Sequence, residues 1–359
     1  MKKRVMLLCS GLGSGGAERQ LVGLADMLQK EGYNIEVVWY SNNNFYKSFL
    51  VERNIAYRQL LVSNHFKKII LIAKEIERYN PDIVISYLSG ANVIASLLKM
   101  IGMRFKLIVS ERNTTTKKSL RVRLRFFLYK YVDYIVPNSF SQDKFIRDNY
   151  PSLADKLNTI TNFTDTSFFV PPAENKVRID GWHKMLVVAR IEKQKNIEGF
   201  LDCVKILKDN HVKVHIEWFG SASVEDYRQH CYDLRNKLDI GDYVSFNPPT
   251  HNILEQYQSS DIFCLPSFHE GFPNVICEAM SCGLPILCSD ICDNPYIVKD
   301  MESGLLFNPM SSEDMAMKIS YYINNMSHRK SEIGKLNRDR IIAICSKESF
   351  LRKYINLIG

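Results

Sequence analysis

The chain has 359 residues, 46% hydrophobic and 24% charged, with 47 Lys and Arg against 39 Asp and Glu for a formal net charge of +8. At roughly 150 residues per domain this predicts two domains, and the longest uncharged stretch, the 16 residues Ile83 to Leu98, carries Ser86, Ser89, Gly90, Asn92 and Ser96 and is too short and polar to span a bilayer. Residues 1–180 hold 27 basic and 16 acidic side chains and residues 181–359 hold 20 and 23, so the first half is expected to meet an anionic partner, membrane surface or nucleic acid.

From the start, Met1-Lys2-Lys3-Arg4 has the charge of a signal-peptide n-region, but only five apolar residues, Val5 to Cys9, follow before a glycine-rich turn. A signal h-region needs about 7–15, so this run reads as a buried first strand. Further strands are predicted at Asn34–Tyr40, Asp82–Tyr87, Lys106–Ser110 and Tyr134–Pro137, after a first at Arg4–Ser10. Between them lie amphipathic helices such as Ala17–Lys30, where Leu21, Leu24, Ala25 and Leu28 share one face. The pattern restarts with strands at Lys184–Ala189, Lys213–Phe219, Tyr243–Phe246, Asp261–Pro266 and Pro285–Ser289, and ends in an amphipathic helix near Ser349–Leu357. Short apolar strands alternating with helices predict an α/β protein with parallel sheets. Val170-Pro171-Pro172-Ala173-Glu174-Asn175-Lys176 has no periodicity and two prolines, and reads as a linker. The expected organisation is a first Rossmann-like domain over 1–170, a linker over 171–182, a second over 183–340 and a C-terminal helix over 341–359. Nine cysteines, an odd number with no C-x-x-C pair, suit a reduced cytoplasmic compartment. Cys282, Cys288 and Cys292 lack zinc-ligand spacing, so no metal site is expected.

Ligands of open α/β sheets bind beyond the carboxyl ends of the strands, which directs attention to the strand-to-helix turns. Gly11-Leu12-Gly13-Ser14-Gly15-Gly16 follows the first strand and opens a helix, where glycines let a phosphate approach the backbone. A turn serving chain geometry alone fits the same residues. The second strand ends without the carboxylate that a dinucleotide enzyme uses for ribose, and no Lys-Ser/Thr pair follows the glycines, which argues against a Walker-type loop. In the second half, Phe263–Pro266 leads into a loop with Glu270, then Gly271, Phe272, Pro273 and Asn274 at a helix start, Val275 and Glu278 inside the helix, and Gly283 and Pro285 at its stop. Two carboxylates flanking a helix N-terminus suit a sugar nucleotide, with hydroxyls on the carboxylates and diphosphate on the amides. Arg190, at another strand end, and Lys195, five residues on, can neutralise one diphosphate together.

At these residues the sequence resembles the retaining glycosyltransferases of glycosyltransferase family 4, over essentially the whole chain. The family's Glu, seven residues, Glu signature matches Glu270 and Glu278, its Arg and Lys pair matches Arg190 and Lys195, and its glycine turn matches Ser14-Gly15-Gly16-Ala17-Glu18-Arg19. The resemblance implies the GT-B fold, two Rossmann-like domains with parallel sheets facing across a cleft, the first on the acceptor side and the second binding the sugar nucleotide, with the C-terminal helix expected to cross back to the first domain. It implies that Arg190 and Lys195 stabilise the departing nucleoside diphosphate, Glu270 binds sugar hydroxyls, Glu278 binds ribose, and the amides of Gly16 and of Phe272 to Val275, with Gly15 and Gly271 beside them, complete the pocket. Retention by front-face attack follows, with a nucleotide-sugar co-substrate, a uridine donor favoured over a guanosine one, and no cofactor. Two placed cations and the lack of an Asp-x-Asp motif suit metal independence. Asp293-Asn294-Pro295-Tyr296 departs from the family's Gly-Gly and post-proline Glu.

Val109-Ser110-Glu111-Arg112-Asn113 stands where relatives place an acceptor-side histidine or acid, and its Ser-Glu-Arg-Asn run looks like that of bacterial enzymes extending lipid-linked glycans. Glu111 and Arg112 are therefore acceptor-side candidates, with a local salt bridge as the alternative. Lys99 to Tyr131 holds ten basic residues and one acid, interleaved with Leu120, Leu124, Phe126, Phe127, Tyr129 and Tyr131. Such a helix can lie on an anionic membrane, or pack its apolar face into the core. The expected partners are a sugar nucleotide, a glycan or polyprenyl-diphosphate-linked acceptor of lipopolysaccharide or capsule synthesis, and the cytoplasmic face of the inner membrane through Lys99–Tyr131. No nucleic acid is expected, since no recognition motif accompanies the basic helix. A sugar-nucleotide epimerase and a non-catalytic sugar-nucleotide-binding protein are the alternative functions.

Overall fold

A computed structural model of the chain describes residues 3–62, 64–112, 115, 119–173 and 181–359. Met1, Lys2, Asn113, Lys117, Lys118 and the 174–180 part of the expected linker lie outside the described residues. The described chain divides into two compact units, residues 1–163 with 348–359, and residues 164–347.

In the first unit, β1 (Arg4–Cys9), β2 (Asn34–Trp39), β3 (Ala56–Gln59), β4 (Ile83–Tyr87), β5 (Lys106–Glu111) and β6 (Tyr134–Pro137) form a sheet ordered β3-β2-β1-β4-β5-β6. Every pair of neighbours in it is parallel. Burial on both faces explains why β1 is apolar from Val5 onward: Val5, Leu7 and Cys9 pack on one side, and Met6 and Leu8 on the other. Leu21, Leu24, Ala25 and Leu28 of the Gly16–Lys30 helix are fully buried against the first of these faces, as their spacing predicts. The closing Lys347–Ile358 helix adds Phe350, Tyr354, Leu357 and Ile358 to the same core.

In the second unit, β7 (His183–Val188), β8 (Val214–Phe219), β9 (Val244–Asn247), β10 (Ile262–Leu265), β11 (Ile286–Ser289) and β12 (Gly304–Phe307) are ordered β12-β11-β10-β7-β8-β9, again all parallel. The two sheets have the same doubly wound order. In each, the direction of winding reverses between the first and fourth strands, β1 and β4 or β7 and β10, and that switch point is where such sheets bind ligands.

The expected boundary at residue 170 falls inside the second unit. Thr164 N donates to the Cys345 carbonyl at 2.8 Å, Ser281 Oγ to the Phe169 carbonyl at 2.6 Å, and Arg338 Nη1 to the same Phe169 carbonyl at 3.0 Å. These bonds hold 164–169 to the helices that end at Ser281 and Cys345. Residues 341–345 also stay with the second unit, because Ile341 and Cys345 are buried in its core.

Two strands escape the sequence pattern, and both are edges. β3 has alternating half-exposed residues, and β12 is four residues long. Gly304 opens β12 because a Cβ there would stand 1.7 Å from the Ile286 carbonyl oxygen. All nine cysteines are free thiols, eight of them buried as small apolar residues. Among the described residues no helix is long and apolar enough to cross a membrane.

Candidate active site

β7 ends at Val188, and Ala189 and Arg190 continue from it to the Lys193–Lys195 turn. Trp218 Nε1 donates to the Ala189 carbonyl at 2.8 Å, and Gly220 lets the end of β8 close on the same atom, since a Cβ there would lie 1.9 Å from it. Asn196, left-handed at φ +54, turns the chain into the Ile197–Asp209 helix, and its Nδ2 donates to the Pro309 carbonyl. The Lys195 turn is tied to the loop after β10 by Phe268 N to the Gln194 carbonyl at 2.9 Å and Gln194 Nε2 to the His269 carbonyl at 2.7 Å.

That coupling brings Lys195 onto Glu270. Lys195 Nζ lies 2.6 Å from Glu270 Oε1, and Ser267 Oγ donates to the same oxygen at 2.6 Å. Both partners are largely buried, where a charge-assisted bond fixes a carboxylate far better than at the surface. Arg190 is the exposed member, with 60% of its side chain exposed and Nη1 2.9 Å from Glu192 Oε1.

Arg190, Lys195, Glu270, Phe272, Pro273, Asn274 and Val275 line one pocket of about 480 Å³, within the size range of small-molecule sites. It lies at the carboxyl ends of β7 and β10, the switch point of this sheet. The opposite wall is made by Phe219, Gly220, Ser221, Pro249, Thr250 and Ile253. Sequence reasoning missed these residues, although Gly220 after a strand and the Pro248-Pro249-Thr250 turn were available as signals.

The Asn274–Ser281 helix starts where the sequence places it, at the Pro273-Asn274 pair. Pro273 occupies the N-cap position and Asn274 is the first helical residue, with no side-chain cap. Gly283 at φ +77 ends the helix, as expected. The set of donor amides expected over Phe272 to Val275 is narrower, because Pro273 has no N–H and the Asn274 N–H donates to the Phe272 carbonyl at 3.0 Å. Phe272 and Val275 remain as amide donors, next to Gly271. Glu278 lies in the second turn, buried, and its Oε2 accepts from Tyr257 Oη at 3.0 Å. On the neighbouring loop, where the sequence departs from the family's glycines, Cys292 takes φ +47 and its Sγ is 3.5 Å from His269 Nδ1.

In the first unit, Gly15 caps the helix that starts at Gly16. Glu18 folds its carboxylate back over this turn, so that a Cβ on Gly15 would lie 2.4 Å from Glu18 Oε2. Burial raises the Glu18 carboxyl above its ordinary range. The expected acceptor-side pair is engaged in buried networks. Glu111 Oε1 accepts from Tyr129 Oη and from Asn92 Nδ2, and Glu111 Oε2 lies 3.4 Å from Arg125 Nη2. Arg112 uses Nε on Ser110 Oγ, Nη1 on Asn162 Oδ1, and Nη2 on both Tyr87 Oη at 2.9 Å and Tyr354 Oη at 2.8 Å. It thereby joins the end of β5 to the closing helix. The basic segment is divided likewise: Arg125, Phe126, Leu128 and Tyr129 are buried, while Leu120, Leu124, Phe127 and Tyr131 are exposed.

Residues 14–168 match the family model described as Glycosyltransferase Family 4, and residues 173–338 match that described as Glycosyl transferases group 1. Among curated relatives, the chain is 25% identical over 331 residues to an uncharacterized glycosyltransferase of Haemophilus influenzae, covering 90% of this chain and 91% of that one. It is 24% identical to the GalNAc-alpha-(1->4)-GalNAc-alpha-(1->3)-diNAcBac-PP-undecaprenol alpha-1,4-N-acetyl-D-galactosaminyltransferase of Campylobacter jejuni, over 92% of both chains. Among solved structures, Anabaena Alr3699/HepE in complex with UDP has a TM-score of 0.87 at 17% identity, with 99% of each chain covered. A glycosyltransferase of Rickettsia africae has a TM-score of 0.85 at 18% identity, over 99% of this chain and 98% of that one.

Proposed function

Because the chain belongs to the glycosyltransferases of family 4 and group 1 and has the GT-B fold, we propose that it moves a sugar, with retention, from a nucleoside-diphosphate donor to a lipid-linked glycan of a cell-surface polysaccharide. The observation that carries this reading is the single pocket holding Arg190, Lys195 and Glu270 with the start of the Asn274–Ser281 helix. The donor diphosphate lies between Arg190, Lys195 and the amides of Phe272 and Val275, and the sugar hydroxyls reach Glu270. The base rests against Pro249 and Ile253, and Glu278 holds the ribose.

Bond breaking leaves an oxocarbenium-like sugar and a diphosphate of growing negative charge. Lys195, held in place by Glu270 before the donor arrives, stabilises that charge without rearrangement, which is the efficient form of electrostatic catalysis. Arg190 supplies the second cation by swinging from Glu192. The acceptor hydroxyl attacks from the face the diphosphate leaves, and its proton passes to the diphosphate oxygen. With two cations provided by the protein, turnover is independent of divalent metal and survives EDTA.

A uridine donor is favoured because Alr3699/HepE is seen with UDP and UDP-glucose. A hexose or N-acetylhexosamine on a polyprenyl-diphosphate-linked acceptor is favoured because the Campylobacter relative is named for such a substrate. The reaction runs on the cytoplasmic face of the inner membrane, with the basic face of the first unit toward the lipid. Acceptor-dependent release of UDP tests the reading. Lys195→Ala lowers kcat/KM by about 10²–10³-fold, as for loss of an oxyanion-hole donor. Conversion of the donor sugar without UDP release would instead identify an epimerase.

A further inference from the structure

The first unit holds a second pocket, of about 580 Å³, that the donor chemistry does not use. It opens at the carboxyl end of the first sheet, where Tyr40 follows β2 and Ser89 and Gly90 follow β4. Its walls are apolar, built from Ile69 of the His65–Tyr79 helix, Ile94 of the Ser89–Met100 helix and Leu124 of the Leu120–Leu128 helix. Lys68 and Arg121 stand among the lining residues, and among the described residues neither is paired with a carboxylate. Lys68 Nζ lies 4.7 Å above the Tyr40 ring, which holds the cation at the pocket without neutralising it. Arg125, also in the lining, is already committed to Glu111. The His65–Tyr79 and Leu120–Leu128 helices also expose Phe66, at 81%, and Leu120, at 82%, with Ile70 and Leu124 exposed on the same two helices. An apolar cavity with two unneutralised cations and apolar side chains on either side fits a molecule with a doubly charged head and a hydrocarbon tail.

We propose that this pocket binds the prenyl diphosphate of the acceptor, with the diphosphate on Lys68 and Arg121 and the first isoprene units along Ile69, Ile94 and Leu124. The inference rests on the acceptor class proposed above and gives it a site. It is tested with the full-length protein and farnesyl diphosphate as probe, titrated beside inorganic pyrophosphate, farnesol and phosphatidylglycerol vesicles. The expected result is saturable binding of farnesyl diphosphate, at least tenfold tighter than pyrophosphate or farnesol. In the Lys68→Gln, Arg121→Gln double variant, checked by its melting temperature, that binding weakens at least tenfold. Ile94→Trp, which fills the cavity, weakens farnesyl diphosphate tenfold and leaves pyrophosphate unchanged. Equal affinity for farnesyl diphosphate and pyrophosphate, or no effect of the double variant, would overturn the proposal. So would binding to the vesicles alone, which would make this face a general anionic-lipid surface. A parallel UDP titration keeps the two readings apart: protein that binds farnesyl diphosphate but not UDP contradicts the donor assignment and leaves this pocket standing.

Discussion

Lys195 and Glu270 illustrate how much of the site depends on one bond. Their 2.6 Å contact, reinforced by Ser267, orders a cation and a carboxylate that the proposed reaction uses for different parts of the donor. Truncating Lys195 therefore removes a proposed diphosphate ligand and leaves a buried carboxylate short of a partner, so its effect on turnover should exceed that of Arg190→Ala, whose side chain is mostly solvated. Parallel kcat/KM measurements check the order. Glu18 permits a different test. Its carboxyl is raised by burial, so the folded chain disfavours the charged form, and the stability present at low pH is lost as pH rises through the ordinary value of 4.5 toward the folded one. Glu18→Gln should accordingly match or exceed the wild-type melting temperature, with a margin that grows above pH about 4.5 and then levels off; a margin that shrinks with rising pH would contradict this. The sequence pointed to Arg190, Lys195 and Glu270 because charged residues at strand ends stand out against apolar runs. It did not reveal that Asn274 spends its N–H on Phe272, or that Arg112 is absorbed by Tyr87 and Tyr354, because those bonds depend on the folded positions of distant residues.

Among the elements, the interior strands were legible since burial on both faces forces continuous Val, Ile and Leu, and the helices since one buried stripe leaves a period near 3.6. The edges β3 and β12 were not. An edge strand has a neighbour on one side only, so four residues of mixed polarity suffice for β3. β12 depends instead on a single close approach at Gly304. Gly304→Ala would drive a Cβ into the Ile286 carbonyl and should cost about 1–3 kcal/mol by overpacking, read as a lower urea midpoint. An unchanged midpoint would mean that the edge shifts without loss. The basic segment shows the same limit of pattern reading. Its arginines and aromatic rings look like one amphipathic face, yet Arg125 and Tyr129 serve a buried network with Glu111 while Leu120 and Leu124 remain exposed.

At the scale of the molecule, the charge imbalance between the two halves divides into two kinds of chemistry. The acidic second unit binds its proposed donor with two placed cations in a pocket at the β7 and β10 switch point. The first unit has an apolar cavity walled by three helices, where Lys68 and Arg121 are unneutralised among the described residues. Both sheets follow one winding order, so the same architecture offers a ligand position twice, and the side chains at the strand ends decide what each accepts. The most direct measurement is UDP release from UDP-sugars, with and without a polyprenyl-diphosphate-linked saccharide, in wild-type protein and Lys195→Ala. The account predicts release that requires the acceptor, persists in EDTA and falls about 10²–10³-fold in the variant. Release that ignores the acceptor, or a Lys195→Ala protein that turns over at the wild-type rate, would contradict it.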